Sequence, residues 1–329
     1  MNVAIIGCGF IGEKRARQLG ACRLVACVDK DFAKAERLAS GYPDCVALTD
    51  WREAVNRPDV EMVIIAVLHS SLAEIAYAAV SAGKHVMIEK PGAKRAHELD
   101  DVIEAAEKTG ALVRIGFNHR YHRALQKARE LVDHNALGDL MFIRARYGHG
   151  GRLGYDKEWR ADPALSGGGE LIDQGVHLID LARWFLGDFT DIEGSAHTFF
   201  WNMPVDDNGF LLLRTPKQQV AFLHASCTEW RNLFSFEIYG RNGKIDINGL
   251  GGSYGIERIT YYRMLPEMGP PETYRWEYPM PDNSWEVEFN EFLEDIKLKR
   301  QPEAGLRDAQ AALKIVEQIY RMSDYDYSS

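Results

Sequence analysis

The run G-C-G-F-I-G at residues 7–12 constrains the fold of this chain more than any other feature. It directly follows the apolar residues 3–6, and the helix-forming residues 13–19 come next. In such a strand–turn–helix unit, the first glycine permits a tight turn, the second lets the backbone approach a pyrophosphate, and the third lets the helix pack on the strand. An ordinary glycine-rich turn is the alternative, which this placement disfavours. The run predicts a dinucleotide site that includes Gly7, Gly9, Phe10, Ile11 and Gly12.

Asp29 ends the second predicted strand, 22 residues after Gly7. A carboxylate at this position accepts hydrogen bonds from the adenosine ribose and repels a 2′-phosphate, which favours NAD over NADP. The neighbouring Lys30 could meet a phosphate, so NADP stays open. The alternative is that Asp29 only caps the next helix, a position for which Asp31 is better placed.

The first 120 residues alternate short apolar runs with stretches rich in Ala, Leu, Glu and Lys. This alternation is typical of βαβ units, so residues 1–119 are predicted to form an α/β Rossmann domain with a doubly wound parallel sheet. The predicted strands are residues 3–6, 24–28, 62–67, 86–88 and 112–115, and the predicted helices are residues 13–19, 32–40, 51–56, 72–82 and 96–108.

The pattern changes after about residue 140, where two hairpins are predicted. One joins residues 210–214 to 220–227 and the other joins 234–239 to 244–247, with an Asn-Gly turn in the second. Residues 120–329 are therefore predicted to form an α+β domain with an open, mostly antiparallel sheet that binds substrate. We also expect this sheet to form a homo-oligomer, a dimer or a tetramer, because an uncovered sheet face commonly packs on a partner subunit.

The sequence Glu89-Lys90-Pro91 follows the predicted strand 86–88. Ligands of parallel sheets bind at the carboxyl ends of the strands, and Lys90 is predicted to lie at that edge. The alternative for a single lysine is a solvated charge.

A second set of candidate catalytic residues follows the glycines at 167–169. Asp173 and His177 are four residues apart, so in an α-helix they would share a face, and the carboxylate could orient the imidazole. Gly175 between them lowers helix stability, which suggests a close approach at that point. The alternative is an Asp–His pair on the helix surface.

Other candidate positions carry less specific signals. Val67, at the end of the third predicted strand, and His69 could contact the cofactor; the alternative for His69 is a solvated loop histidine. Asn118 is expected near the cofactor, and Arg120 could bind a polyol or phosphate, or brace the structure instead. Sugar rings stack on aromatic faces, so the loop that contains Tyr147, His149 and Trp159 is the candidate substrate loop.

Taken together, these motifs resemble the glucose–fructose oxidoreductase / inositol dehydrogenase / rhizopine-catabolism (Gfo/Idh/MocA) family over essentially the whole chain. The resemblance implies a Rossmann domain that binds a pyridine nucleotide, followed by a domain with an open antiparallel sheet. It also implies that Lys90 is the catalytic lysine and that Asp173 and His177 are the acid–base pair. The residues that carry the resemblance lie at 7–12, 89–91, 116–120, 159–160, 167–180 and 285–292.

Members of this family mostly oxidise or reduce a secondary alcohol on a sugar, cyclitol or sugar nucleotide. We therefore expect an NAD(P)-dependent sugar-type dehydrogenase in which Glu89 and Lys90 lie at the cofactor and Lys90 and His177 serve as acid and base. Two other functions stay open: an NAD-dependent glycoside hydrolase acting by transient oxidation and elimination, and a non-catalytic NAD-sensing protein.

Composition and charge exclude several other classes of protein. The net charge of −9 without a basic block disfavours nucleic-acid binding. No apolar run reaches the ~18 residues of a membrane span. Five cysteines without a C-x-x-C pair predict neither a disulfide framework nor a metal site. The chain starts directly on its first predicted strand, so we expect a cytoplasmic protein.

Overall fold

The computed structural model describes residues 1–325, so the last four residues of the predicted second domain lie outside it. The chain divides into two compact units, Met1–Phe117 with Trp285–Ala311, and Asn118–Ser284 with the residues from Ala312 onward. The predicted division into residues 1–119 and 120–329 stays a prediction. The observed grouping differs from it in residues 285–311, since Phe289 and Phe292 belong to the hydrophobic core cluster of the first unit.

The first unit is built on a six-stranded sheet in which all neighbouring strands are parallel. Its strands are β1 (Asn2–Ile6), β2 (Arg23–Val28), β3 (Val46–Leu48), β4 (Met62–Ile65), β5 (His85–Ile88) and β6 (Val113–Ile115). Its helices are α1 (Phe10–Ala16), α2 (Phe32–Ala39), α3 (Trp51–Val55), α4 (His69–Ser81) and α5 (Asp100–Thr109). The predicted Rossmann architecture is confirmed.

The strand order, β3-β2-β1-β4-β5-β6, explains where a ligand can bind. The chain builds outward from β1 to β3 and then returns to place β4 on the other side of β1. In doubly wound sheets, the crevice at this reversal, outside the carboxyl ends of the strands, is the ligand site. The glycine run, Asp29 and Glu89 follow β1, β2 and β5, so all of them lie at that edge.

The burial of each strand explains whether it could be predicted from the sequence. Ile5, Ile64 and Met87 on the central strands have no exposed surface, as expected for strands covered on both faces. β3 was not predicted, because this edge strand has only three residues and all of them keep some exposure.

The second unit is built on an eight-stranded sheet in the order β14-β13-β12-β11-β7-β10-β9-β8. Only the β7–β10 pair is parallel, so the predicted mostly antiparallel sheet is confirmed. Its strands are β7 (Leu140–Gly148), β8 (Asp191–His197), β9 (Asn208–Arg214), β10 (Val220–Ser226), β11 (Leu233–Gly240), β12 (Gly243–Asn248), β13 (Glu257–Arg263) and β14 (Glu272–Tyr278). Its helices are α6 (Arg123–Asp133), α7 (Pro163–Ser166) and α8 (Val176–Leu186).

Both predicted hairpins are confirmed. Arg214 pairs with Val220 where β9 turns into β10, and Gly240 pairs with Gly243 where β11 turns into β12. β8 and β13 were not predicted. The sequence of β8 contains a glycine and a single large aliphatic residue, Ile192, and so gives little strand signal.

Two further helices follow the second sheet. They are α9 (Ser284–Leu298) and α10 (Leu306–Met322). Among residues 1–325, no helix is long and apolar enough to cross a membrane.

Candidate active site

The glycine run forms a cradle whose geometry fits a dinucleotide. Gly7 has φ +96°, and a Cβ there would lie 2.2 Å from the carbonyl oxygen of Ala66. A Cβ on Gly12 would lie 1.9 Å from the carbonyl oxygen of Gly7, so no side chain fits at either position. A Cβ on Gly9 would meet nothing within 4 Å. Gly9 therefore leaves open space over the backbone, which is what a close approach by a pyrophosphate requires.

Asp29 is tied to this cradle by hydrogen bonds. Its Oδ2 accepts from the backbone N–H of Cys8 at 2.9 Å, and its Oδ1 accepts from the N–H of Asp31 at 3.0 Å. Asp31, rather than Asp29, caps α2 by accepting from the N–H of Ala33. Asp29 stays partly exposed beside the glycine run, where a ribose can reach it, and Lys30 next to it is exposed.

The remaining cofactor candidates of the first unit lie at the same edge of the sheet. Phe10 opens α1 and is 80% exposed, whereas Ile11 and Val67 are partly buried. His69 is neither in a loop nor solvated, since it is the first residue of α4 and is buried. The solvated alternative for His69 is therefore wrong.

Glu89 and Lys90 differ in exposure. Glu89 is buried and accepts a hydrogen bond from Arg15 Nε at 2.7 Å, whereas Lys90 is partly exposed. Arg15 itself is 1% exposed and donates through Nη1 to Glu288 at 2.6 Å. The side chain of Glu89 is thus held by Arg15 of α1.

The carboxylates of Glu288 and Glu89 stabilise the charged form of Arg15. Burial disfavours the guanidinium, but Glu288 and Glu89 outweigh it and raise the pKa of Arg15. Burial raises the pKa of Glu288. A Cβ at Gly116 would lie 2.8 Å from Arg15 Nη2 and 3.0 Å from Glu89 Oε2. Gly116 therefore leaves room for the ion pair, which explains a glycine directly after β6.

In the second unit, Asp173 lies on a π-helical turn, Leu171–Gly175, that leads into α8. The α-helical spacing assumed for Asp173 and His177 is therefore wrong, because a π turn is wider than an α turn. Such turns are frequent at functional sites.

The close approach expected at Gly175 is confirmed, since a Cβ there would lie 2.7 Å from Leu171 Cδ1 and 3.4 Å from Ala225 Cβ.

Asp173 is buried and forms an ion pair with Arg160, whose Nε donates to Asp173 Oδ2 at 2.9 Å. Arg160 Nη1 also lies 3.7 Å from Glu158. Burial lowers the pKa of Arg160, but Asp173 outweighs that effect and the pKa of Arg160 is raised. The guanidinium of Arg160 therefore stays charged beside this carboxylate.

His177, on α8, is buried among aromatic rings. The ring of His119 lies over it, with centroids 3.7 Å apart and planes tilted by 32°. The ring of Tyr147 meets both histidine rings edge-on, with its centroid 5.1 Å from that of His119 and 6.2 Å from that of His177. Burial raises the pKa of Tyr147 well above its ordinary value, so this phenol stays protonated. The imidazole of His177 thus has a fixed orientation.

The polar side chains after β6 are engaged within the second unit. Asn118 Nδ2 donates to Ser284 Oγ at 2.9 Å. Arg120 is buried and pairs with Asp180 through two hydrogen bonds of 2.8 and 2.6 Å. The bracing alternative for Arg120 therefore fits the geometry better than binding of a polyol or phosphate.

The candidate substrate loop contacts a second buried carboxylate, that of Glu170. His149 Nε2 lies 3.6 Å from Glu170, and Tyr155 donates to the same carboxylate at 3.4 Å. Burial lowers the pKa of His149, so its imidazole is favoured in the neutral form. Trp159 is partly exposed, and its ring stacks under the guanidinium of Arg160 at 4.6 Å.

Sequence reasoning assigned no role to Arg15 or His119. Arg15 lies eight residues after Gly7 on a helix that looks like an ordinary charged surface helix. Its burial depends on Glu288, 273 residues away. His119 stands inside a motif that was recognised, but its contact with His177 depends on tertiary packing.

Comparison with protein families gives two matches. Residues 1–117 match the oxidoreductase family with an NAD-binding Rossmann fold. Residues 125–246 match the GFO/IDH/MocA C-terminal domain. The two matches follow each other along the chain in the order that the resemblance implied.

Individual relatives agree with the family matches. Levoglucosan dehydrogenase of Pseudarthrobacter phenanthrenivorans is 26% identical over 294 residues, which cover 75% of this chain and 73% of that protein. Inositol 2-dehydrogenase of Gluconacetobacter diazotrophicus is 31% identical over 192 residues, which cover 56% of this chain and 54% of that protein.

Solved structures share the fold. A levoglucosan dehydrogenase in complex with NADH and levoglucosan has a TM-score of 0.85 at 23% identity, covering 98% of both chains. An aldose–aldose oxidoreductase from Caulobacter crescentus complexed with glycerol has a TM-score of 0.85 at 25% identity, covering 98% of this chain and 97% of that one. With an NAD-type cradle in the first unit and both family matches, the chain belongs to the Gfo/Idh/MocA family of oxidoreductases with an NAD-binding Rossmann fold.

Proposed function

We propose that this chain is an NAD-dependent dehydrogenase that acts on a secondary alcohol of a sugar, sugar nucleotide or cyclitol. One observation carries the proposal most directly. The open cradle at Gly9 and the motif that contains Lys90 lie at the same carboxyl edge of one parallel sheet. A bound cofactor and the amine of Lys90 would therefore lie at the same edge of the sheet in the first unit.

The relatives support the substrate class. Those described above are named for levoglucosan and inositol, and a D-glucoside 3-dehydrogenase of Escherichia coli is 30% identical over 205 residues. Levoglucosan, inositol and glucosides all carry secondary hydroxyl groups on a ring. A polyhydroxylated ring is therefore the substrate class that we assign to this chain.

The first unit would hold the cofactor through backbone and carboxylate contacts. When bound, a nicotinamide accepts or donates a hydride. Gly7, Gly9 and Gly12 would hold the pyrophosphate, and Asp29 would accept hydrogen bonds from the ribose hydroxyls. The same carboxylate disfavours a 2′-phosphate, so we propose NAD as the preferred cofactor and NADP as the weaker one.

We assign Lys90 to the oxygen of the reacting alcohol. An ammonium group donates hydrogen bonds and stabilises negative charge that develops on the oxygen as the carbon–hydrogen bond breaks. The Arg15–Glu89 ion pair fixes the residue before Lys90. Lys90 acts here as a hydrogen-bond donor and as one member of the acid–base pair.

His177 is the proposed proton acceptor in alcohol oxidation and the donor in the reverse direction. An imidazole titrates near neutrality, which suits general acid–base catalysis. The ring of His119 fixes the plane of the His177 ring. Asp173, which pairs with Arg160, would orient a substrate hydroxyl or the imidazole.

The proposed substrate loop completes the assignment. Tyr147, His149 and Trp159 offer aromatic faces and polar edges, which suit the apolar faces and hydroxyl rim of a sugar ring. Arg160, stacked on Trp159 and paired with Asp173, joins this loop to the catalytic carboxylate. Substrate selectivity would therefore reside in this loop.

The test of this function is an absorbance assay for reduced nicotinamide, with NAD or NADP and a panel of inositols, free sugars, glycosides and sugar nucleotides. NADH formed with one substrate class is the expected result. Cleavage of a glycoside without net NADH would show the transient-oxidation hydrolase instead. Tight NAD binding without turnover of any compound would show a sensor.

We also propose that the open sheet of the second unit mediates a homodimer or homotetramer in the cytoplasm. Phe142 and Tyr239 stack on each other, with centroids 4.1 Å apart, and Phe142 and Phe222 are exposed large apolar side chains of this sheet. Sedimentation velocity gives the assembly state, and a Phe222→Glu substitution should shift the protein toward monomer.

A further inference from the structure

Three cysteines of the first unit surround strand β2. Cys8 lies in the glycine run, Cys27 lies within β2, and Cys45 comes just before β3. The sulfur atoms of Cys27 and Cys45 are 3.6 Å apart. Cys8 donates through Sγ to the carbonyl oxygen of Val28 at 3.3 Å. Two thiols in van der Waals contact, 18 residues apart in sequence, are thus brought together by the pairing of β2 with β3.

We propose that Cys27 and Cys45 form an oxidisable thiol pair, which hydroperoxides convert into an intramolecular disulfide. This site is independent of the dehydrogenase reaction proposed above. It assigns a covalent modification to residues that have no part in that reaction.

The two thiols differ in access, which fixes the order of events. Cys45 is partly exposed, whereas Cys27 has no exposed surface. A hydroperoxide in solvent therefore reaches Cys45 first. Cys27, buried 3.6 Å away, is placed to react second.

The surroundings of Cys45 also favour its reactive form. A hydrogen bond from the Cys27 thiol and the positive charge of Arg57 lower the pKa of Cys45. The thiolate, rather than the thiol, is the nucleophile that attacks a peroxide. Cys45 is therefore the better nucleophile of the pair, and Cys27 keeps its proton.

The reaction balances in two steps. The Cys45 thiolate attacks one oxygen of the hydroperoxide, the O–O bond breaks, and Cys45 becomes a sulfenic acid while hydroxide or alkoxide leaves. The Cys27 sulfur then attacks the Cys45 sulfur, the S–O bond breaks, and water leaves with the Cys27 proton. Two thiols are oxidised by two electrons, and one hydroperoxide is reduced.

The local structure allows the required movement. A disulfide needs a sulfur–sulfur distance of ~2.05 Å, so the present separation must shorten by ~1.5 Å. Cys45 lies outside regular secondary structure, next to the short edge strand β3, so its side chain can move without breaking the central sheet. The ring closed by this bond would contain Asp29 and Lys30, the residues assigned to the ribose.

Cys22 provides the contrast within the same unit. It is also partly exposed, but burial raises its pKa. In the part of the chain that the structure describes, its sulfur makes no hydrogen bond to another thiol. Cys22 is therefore expected to stay reduced under conditions that oxidise the Cys27–Cys45 pair.

The test is mass spectrometry of the folded protein after treatment with a small excess of hydrogen peroxide, followed by unfolding and alkylation with a maleimide. The untreated protein should take up five labels, one for each cysteine. The treated protein should take up three, and its digest should contain a peptide that joins Cys27 to Cys45. Cys22→Ser should lose two labels on treatment, as the natural chain does. Cys27→Ser should leave a Cys45 sulfenic acid that a 1,3-diketone probe captures.

Other outcomes would overturn the proposal. Full labelling of Cys27 and Cys45 after treatment would show that the pair does not react. A sulfinic or sulfonic acid on Cys45, with Cys27 still labelled, would show that Cys27 does not resolve the sulfenic acid. A crosslink through Cys22 or between two chains would assign the chemistry elsewhere. The wild-type measurement decides between these results without any variant having to fold.

Discussion

Arg15 Nε donates to Glu89 Oε1 across 2.7 Å, and Glu89 is the residue immediately before Lys90. The donor stands on α1, the helix that the glycine run opens, and the acceptor stands at the end of β5. One buried ion pair therefore joins the cofactor cradle to the segment that carries the proposed catalytic lysine. Glu288 of α9 binds the same guanidinium, so three separate parts of the chain meet at Arg15.

The first prediction concerns this ion pair. Arg15→Met leaves two buried carboxylates, Glu89 and Glu288, without their cation, and loss of one partner from a buried pair costs ~3–5 kcal/mol. Urea unfolding should show that the free energy of unfolding decreases by about this amount. Turnover should also fall, because Glu89 no longer fixes the position of Lys90. Arg17→Met is the matched control, since Arg17, the C-cap residue of α1, has a side chain that is 74% exposed. Equal stability of the two variants would contradict this role of Arg15.

The second prediction concerns cofactor choice. Asp29→Ser removes the carboxylate that would bind the ribose hydroxyls, and a hydrogen bond to a charged group is worth ~1.5–3 kcal/mol. The Kd for NAD should rise by ~10–100-fold, and the preference over NADP should shrink or reverse. Asp31→Ser is the control, because it keeps a capping residue for α2 and leaves Asp29 in place. Quenching of intrinsic fluorescence measures the Kd values for NAD and for NADP. An unchanged ratio of these two Kd values in Asp29→Ser would exclude the role of Asp29.

Much of the first unit could be predicted from the sequence, since its signals are local. Buried parallel strands such as β1 and β4 are continuous apolar runs, and the glycine spacing is set by the backbone itself. The edge strand β3 escaped prediction because it lacks that burial. The pairing of Asp29 with the N–H of Cys8 could not be predicted either, since it depends on how two loops of the folded sheet meet.

The third prediction concerns Arg160. Arg160→Met removes the cation that pairs with Asp173 at 2.9 Å, so the carboxylate loses both its orientation and its counter-charge. We expect kcat to fall by ~10–100-fold, since small misplacements at a reacting centre have effects of this size. Affinity for NAD should stay unchanged.

Arg152→Met serves as the control for Arg160, because Arg152 also binds Glu158, at 2.7 Å, but its side chain is 64% exposed. Steady-state kinetics with the substrate identified by the assay panel measures both variants. A kcat of Arg160→Met as high as that of Arg152→Met would remove Arg160 from the catalytic arrangement.

The site of the second unit shows where sequence reasoning reaches its limit. Asp173 and His177 were found from their spacing, but the π turn under Asp173 was not, because no local signal separates it from an α turn. Arg120 stood in a recognised motif, yet its partner Asp180 is 60 residues away. A motif identifies the residues of a site, whereas long-range partners decide which of them are available to a ligand.

The fourth prediction concerns stability at low pH. Burial opposes the charge of Glu237, but Arg144 and Lys244 outweigh it and lower the pKa of Glu237 from 4.5 to about 2. The folded state therefore binds fewer protons than the unfolded state in this range. The stability that Glu237 contributes is present above pH 4.5 and is lost as the pH falls toward about 2.

Glu237→Gln should flatten this part of the stability profile, which thermal unfolding at several pH values measures. Glu272→Gln on the edge strand β14 is the control, because the Glu272 side chain is 44% exposed. If Glu237→Gln lost stability at low pH as steeply as the wild type does, the ion pairs of Glu237 would not be the cause of that loss.

We propose that the first unit binds NAD and that Lys90 serves hydride transfer to or from a ring carbon that bears a hydroxyl group. The most direct measurement follows NADH formation by the wild type and by Lys90→Met, with NAD affinity measured for both proteins. We expect the wild type to form NADH with one class of cyclic polyol, whereas Lys90→Met should bind NAD with similar affinity and form almost none. Undiminished NADH formation by Lys90→Met would exclude the role of Lys90, and NAD binding by the wild type without NADH from any polyol would exclude the dehydrogenase.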